Sequence, residues 1–306
     1  MKRAIPSSQR RGTRAAALAA LALSLLSSAC ASAGAPAGPS GSTPRDWIQM
    51  FNGRDLNDWR IKFTKHPLGE NFNNTFRVED GLLKVRYDRW TGWDGEFGHI
   101  FYKDAFSHYL LRAEYRFVGG QVTGAPSSLS WAIRNNGLML HAQSPESMGR
   151  DQDFPISLEA QLLGGLSDGK PRSTLNLCTP GTNFVRNDSL ITAHCTNSSS
   201  KTFNGDQWVR AEVLVLGDSV IKHIVNGDTV MTYYKPQMGG GSVSNLMPGV
   251  MQAGKLLDRG WITLQAESSE IDFRKVEILN LEGCTDPTAR NYKTYLRKSN
   301  PAMCVV

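Results

Sequence analysis

Between Phe154 and Leu163 the chain reads Phe-Pro-Ile-Ser-Leu-Glu-Ala-Gln-Leu-Leu, and this alternation constrains the fold more than any other stretch. Strand side chains point to opposite faces with period two. Ile156, Leu158, Ala160 and Leu162 therefore face one way, and Ser157, Glu159 and Gln161 the other. An antiparallel sheet with such a strand buries its apolar face and leaves the polar one to water or ligand. The pattern recurs along the chain. Phe76–Tyr87 reads as a hairpin turning at Asp80-Gly81, and the run Val220–Val225 turns at Asn226-Gly227. Tyr109–Phe117, Trp208–Val215, Trp261–Ala266 and Ile271–Ile278 alternate as well, and no long stretch keeps a helical period. Short strands at regular spacing with Gly-rich turns predict an all-β sandwich.

The first thirty residues read differently. Lys2, Arg3, Arg10, Arg11 and Arg14 form a basic segment, followed by an uncharged, mostly apolar run from Ala15 to Ala29. That run is short for a membrane span and suits the apolar core of an export signal. It ends in Leu26-Ser-Ser-Ala-Cys30, which resembles a bacterial lipoprotein cleavage box with Cys30 as the lipidated residue. Ser27 stands where an aliphatic residue is usual, and Ala31-Ser-Ala33 offers an ordinary cleavage site instead. The expectation is an exported protein, periplasmic or held at the outer membrane by its lipid anchor only. Residues 31–44, rich in Ala, Gly, Pro and Ser, read as a flexible linker. The expected domain extends over 45–281, with a separate tail at 282–306.

The leader also decides what the charge means. The chain carries 34 basic and 28 acidic residues, a formal net of +6. Without the five basic leader residues the balance is 29 against 28, leaving no electrostatic footprint for nucleic acid. Cys178, Cys195, Cys284 and Cys304 remain beside Cys30, and four cysteines permit three pairings. Sequence proximity favours Cys178–Cys195 and Cys284–Cys304. Each closes a loop of about 20 residues and stabilises by about 3 kcal/mol in the chain-entropy model. None of the four has metal-finger spacing.

No G-x-S-x-G elbow, H-E-x-x-H, phosphate loop or dinucleotide fingerprint is present. The candidate chemistry lies in polar residues on strands. Trp131-Ala-Ile-Arg134 leads through Asn135-Asn-Gly137 into Leu138-Met-Leu-His141, and alternation sets His141 on the face of Met139. Glu159 and Gln161 come from the first strand described, Asn176 from Ser173–Leu177, and Gln265 from the penultimate strand. Trp93 and His99 lie in the long segment 88–104, where aromatic rings are candidates to stack on sugars. If these strands are neighbours in one sheet, Arg134, His141, Glu159, Gln161 and Gln265 would line a single polyol-binding cleft with an acid/base pair.

Taken in order, several segments resemble the 3-keto-disaccharide hydrolase family over roughly residues 46–280. They are Met50-Phe-Asn-Gly-Arg-Asp-Leu-Asn-Asp-Trp59, Phe76-Arg-Val-Glu-Asp-Gly-Leu-Leu83, Ile156-Ser-Leu-Glu-Ala-Gln-Leu162, Gln207-Trp-Val-Arg210, His223-Ile-Val-Asn-Gly227, Ile262-Thr-Leu-Gln265 and Ile271-Asp-Phe-Arg274. The resemblance implies a concanavalin-like jelly-roll sandwich, here with a short disulfide-stapled C-terminal tail. It also implies cleavage of glycosides oxidised at C3, with Glu159 and Gln161 on the family's acidic strand and Gln265 on its final strand. Many members carry His-Gly after that Gln, whereas this chain has Ala266-Glu267. The expected chemistry is elimination across C2 and C1 followed by hydration. Glu159 and His141 transfer protons, Arg134 or a divalent cation holds the oxyanion, and Gln161, Asn176, Gln265, Trp93 and His99 bind substrate. His141 and Glu159 are also the candidate ligands for such a cation; no other cofactor is expected. Glu159, expected on an exposed cleft face, would contribute little to folding. The alternatives are a non-catalytic carbohydrate-binding module and a lectin-like surface lipoprotein, because one fold serves many functions.

Overall fold

The computed structural model describes residues 45–306. The leader, Cys30 and the 31–44 linker lie outside the described residues. In chain order the strands are β1 (Trp47–Gln49), β2 (Trp59–Phe63), β3 (Phe76–Glu79), β4 (Leu82–Val85), β5 (Gly98–Tyr102), β6 (His108–Gln121), β7 (Asn135–Ala142), β8 (Leu158–Leu163), β9 (Asn176–Cys178) and β10 (Thr182–Arg186). They continue with β11 (Ser189–Ile191), β12 (Cys195–Thr196), β13 (Val209–Leu216), β14 (Val220–Val225), β15 (Asp228–Met238), β16 (Trp261–Ala266), β17 (Ser269–Asn280), β18 (Glu282–Gly283) and β19 (Lys298–Ser299).

Two antiparallel sheets form the sandwich. One runs β11-β10-β15-β14-β13-β6-β17-β4-β3, with β1 added against β17; the other runs β12-β9-β8-β7-β16-β5-β2. The alternating residues face one another across the core. Ile61, Ile100, Leu138, Leu158 and Leu264 from the seven-stranded sheet pack with Leu111, Val213, Ile221 and Phe273 from the other. Full burial of such a side chain contributes about 1.5–3 kcal/mol. Two hairpins close on the turns the sequence indicates. Asp80 and Gly81 have φ of 56° and 73°, and Asn226 and Gly227 have 50° and 103°. Positive φ at both central residues gives the twist that matches adjacent antiparallel strands.

Both disulfides pair by proximity. Cys178 and Cys195 are register partners on β9 and β12, with Cα atoms 4.1 Å apart. Cys284–Cys304 joins the ends of the tail, whose short parallel pair β18–β19 follows directly from β17. The tail touches the sandwich through Lys293 on Asp46 and Arg259 on Glu282.

Two strand assignments made from the sequence are corrected. Trp131 and Ala132 end a 3-10 helix, Ser127–Ala132, rather than lying on a strand. Arg134, with φ of 49°, precedes β7 in a turn conformation. Strand β8 also begins later than its alternation suggests, at Leu158, so Phe154–Ser157 belong to the preceding loop.

Candidate active site

The seven-stranded sheet has one face in the core, and the other carries the cleft. Leu158, Ala160 and Leu162 of β8 belong to the core, whereas Glu159, Gln161 and Leu163 line a cavity of about 690 Å³. Register arranges this face in rows. One row runs Phe101–Thr263–Met139–Glu159–Cys178–Cys195. The next contains Lys62, His99 and Gln265 on one side and Gly137, Gln161 and Asn176 on the other.

Gly137 has a specific task in that second row. A Cβ on it would lie 2.4 Å from Glu159 Oε1 and 2.6 Å from its Cγ. The Glu159 side chain therefore lies across Gly137, in space that any other residue would fill. Glu159 is 6% exposed, and its Oε1 has no hydrogen-bond partner. A second carboxylate enters the same cavity from the residue after β16. Glu267 is 3% exposed, and its Oε2 is likewise unpartnered. Among the described residues, neither carboxylate has a basic partner within ion-pair distance. Burial pushes Glu159 up to about 8. Burial, reinforced by the charge of Glu159, raises Glu267 well above the usual carboxylate range. Both carboxyls therefore favour the protonated form near neutral pH, and ionisation of one as pH approaches 8 leaves a base beside an acid.

Gln161 and Asn176 meet in the cavity. Asn176 Nδ2 donates to Gln161 Oε1 at 3.1 Å, while Asn176 Oδ1 accepts from Ser198 N and Ser173 Oγ. Gln265 and His99 are register partners on this same sheet face, but both are fully enclosed and do not line the cavity. The His99 ring lies edge-on to Phe154 at 5.7 Å. Burial first, then nearby Lys62, lowers the His99 imidazole to about 3. The side-chain nitrogens and oxygen of these two residues are unpartnered.

Three expected site residues lie elsewhere. His141 does not share the cleft face with Met139, because a β-bulge intervenes. Ala142 pairs with Trp261 and Met139 with Thr263, so two residues of β7, Leu140 and His141, oppose one of β16, Ile262. His141 takes φ of 48°, and the reading of alternate residues fails from there. Its Nε2 donates to Gly217 O at 3.2 Å, its ring stands 6.0 Å from Tyr109, and burial lowers it to about 4. His141 and Glu159 therefore do not come together as a proton-transfer pair or as cation ligands. Arg134 lies outside the cleft, 3.5 Å from Asp206, donating to Gly205 O and packed over Phe117. Trp93 stacks on Trp90 at 5.6 Å, half-buried against the core, and does not line the cavity.

Sequence reasoning missed Trp131, Phe154 and Glu267 as cleft residues. A signal for Glu267 existed, since it continues the alternation of Thr263 and Gln265 one step past β16. Trp131 and Phe154 sit on irregular segments and had no comparable periodicity.

The sequence profile of the 3-keto-alpha-glucoside-1,2-lyase-like domain matches residues 46–279, and the chain belongs to that family. No curated protein matches it. Among solved structures it is similar to a Parabacteroides distasonis ATCC 8503 protein provisionally described as a glycosyl hydrolase. That likeness has 16% identity and a TM-score of 0.45, covering 77% of this chain and 100% of that one. A Bacillus subtilis protein of unknown function with a galectin-like fold matches at 12% identity and TM-score 0.40, covering 77% and 94%. A carbohydrate-binding module from Bacillus subtilis matches at 9% and 0.36, covering 79% and 100%. Membership of the family gives the chain a carbohydrate-related function.

Proposed function

We propose that this protein is an exported enzyme that cleaves 3-keto-glycosides by elimination and hydration. The observation that carries the reading is the pair Glu159 and Glu267, two nearly buried carboxyls without a basic partner in one cleft. A ketone at C3 acidifies the hydrogen on C2. Glu159 as carboxylate takes that proton, and the C–H electron pair becomes the enolate of the ketone. The enolate then expels the C1 substituent, whose oxygen takes a proton from the Glu267 carboxylic acid and leaves as an alcohol. The product has a C1=C2 double bond conjugated to the ketone. Water adds across it, with hydroxyl to C1 and a proton to C2, which yields the free 3-keto-sugar. A carboxylate whose pKa lies near the working pH is an effective general base. The Gln161 amide, held in place by the hydrogen bond from Asn176, supplies hydrogen bonds to sugar hydroxyls, and no serine nucleophile is needed.

The test is incubation with 3-keto-glucosides beside their unoxidised counterparts, with and without chelator. Release of alcohol only from the oxidised substrates is the expected result. Sugar binding without release from any 3-keto-glycoside overturns it in favour of a binding module.

The export proposal rests on the apolar run ending at Cys30. Cys30→Ser is expected to move the protein from the membrane fraction to the soluble one. Unchanged fractionation would leave ordinary secretion.

A further inference from the structure

The cleft has a floor and walls of different chemical character. Its floor is built by β8, β9 and the residue after β16, which contribute Glu159, Gln161, Asn176 and Glu267. Its walls come mainly from loops and set the apolar Trp131, Phe154, Pro180 and Val243 among the polar His194, Asn197, Ser242 and Ser244, with the Cys178–Cys195 disulfide beside them. The one carboxylate in the wall, Asp153, is already engaged. Its Oδ1 accepts from the backbone N–H of Phe154 and Ser244, and its Oδ2 from the Ser244 hydroxyl.

Trp131 stands out on that wall because it is 50% exposed. It is also backed by a continuous aromatic chain. Its ring lies 6.4 Å from Phe97 at an interplanar angle of 28°. Phe97 in turn packs on Phe154 at 4.7 Å and on Trp93 at 5.2 Å. Trp93 stacks on Trp90, a buried core residue. A large ring presented to solvent and braced from behind is a preformed surface for a flat apolar partner, and it loses little conformational freedom on binding.

Position then separates the two halves of a substrate. Proton transfer at C2 and C1 holds the sugar ring against the floor, where the carboxyls and amides lie. The group attached at C1 must extend toward the walls, and the cavity of about 690 Å³ has room for it beyond a single sugar ring. Resting on the 3-keto-glycoside reading above, we propose that the loop walls form an aglycone subsite. It selects a flat, apolar, aromatic aglycone over a second sugar, with Trp131 as its stacking platform.

The test uses 3-keto-glucosides with ethanol, 2-phenylethanol or glucose as the aglycone. Ethanol and 2-phenylethanol leave as primary alcohols of similar acidity, so a difference between them reports binding rather than leaving-group quality. The wild-type kcat/KM for phenylethyl is expected to exceed that for ethyl by about tenfold or more, the scale of one well-packed ring, and to exceed that for glucose as well. Trp131→Ala should bring the phenylethyl-to-ethyl ratio close to one, and Trp131→Phe should restore most of it. Equal wild-type rates for the ethyl and phenylethyl substrates, a best rate with the glucose aglycone, or a Trp131→Ala variant that keeps the ratio would each overturn the proposal. Calorimetric titration with unoxidised phenylethyl and ethyl glucosides separates this result from failure of the catalytic reading. If no 3-keto-glycoside is turned over, a phenylethyl preference that depends on Trp131 still supports the subsite, and equal affinities overturn it.

Discussion

Glu159→Gln is expected to lower turnover of a 3-keto-glucoside by about 100-fold or more, the usual scale for loss of a general base. The substitution keeps the size of the side chain and its place across Gly137, so binding of the sugar should change far less than kcat. The same substitution should stabilise the fold, contrary to what an exposed carboxylate would do. In the folded protein Glu159 keeps its proton up to about pH 8, because burial penalises the charged form. In the unfolded chain it ionises near the ordinary value of about 4.3. Between those values the folded state binds more protons than the unfolded one. The stability due to that proton is thus fully present below about pH 4 and is lost as pH rises toward 8. The introduced amide has no proton to lose, so the variant escapes this decline. Its advantage over the parent should be small at pH 4 and grow to the order of a few kcal/mol at pH 8, a rise in Tm of about 5–10 °C. Melting curves at pH 4, 6 and 8 check this, and an advantage that does not grow with pH would mean that the carboxylate is solvated. Kinetics is the second readout: a fully active variant would limit Glu159 to positioning substrate and leave proton removal to Glu267.

The sequence conveyed the sheet and half of the site because both depend on local repetition. The alternation Leu158–Leu163 determines which side chains enter the core, so it also locates Glu159 and Gln161 on the cleft face. Asp80-Gly81 and Asn226-Gly227 define their hairpins through backbone conformations that most other residue pairs resist. What remained illegible was non-local. One extra residue in β7 relative to β16 redirects His141, and nothing in the sequence of β7 alone announces it. The partner strand carries the other half of the cause. A Cβ at Gly260 would lie 2.6 Å from His141 Cα, so the bulge needs glycine in a segment over a hundred residues away. Trp93 and Trp131 look alike as aromatic residues near predicted strands, yet one braces the aromatic chain and the other ends it at the cleft. Arg134 has three partners outside the cleft, none of them adjacent in sequence. Glu267 was visible as one more step of the Thr263–Gln265 alternation and as a departure from the family pattern, but its meaning depends on Glu159 standing in the same cavity.

Gly137→Ala should separate the architecture of the site from the stability of the fold. Glycine in a strand interior is ordinarily a weakness, and alanine at a compatible backbone position stabilises by about 0.4–1 kcal/mol. Gly137 does not have a positive φ, so its backbone accepts alanine. Its Cβ would instead meet Glu159 Oε1 at 2.4 Å, Cγ at 2.6 Å and Cδ at 2.8 Å. No methyl group fits at those distances, and the Glu159 side chain must swing away from the floor. A displacement of about 1 Å at a reacting group can cost on the order of 100-fold in rate. The expected result is therefore a fall in kcat of about 10- to 100-fold with a Tm close to that of the parent. Moving the carboxyl toward water should also weaken the pH dependence of stability that burial imposes. A Gly137→Ala variant with normal kcat would mean that Glu159 reaches its working position by another route. A large fall in Tm with kcat retained would mean that Gly137 serves strand packing rather than the carboxylate lying across it.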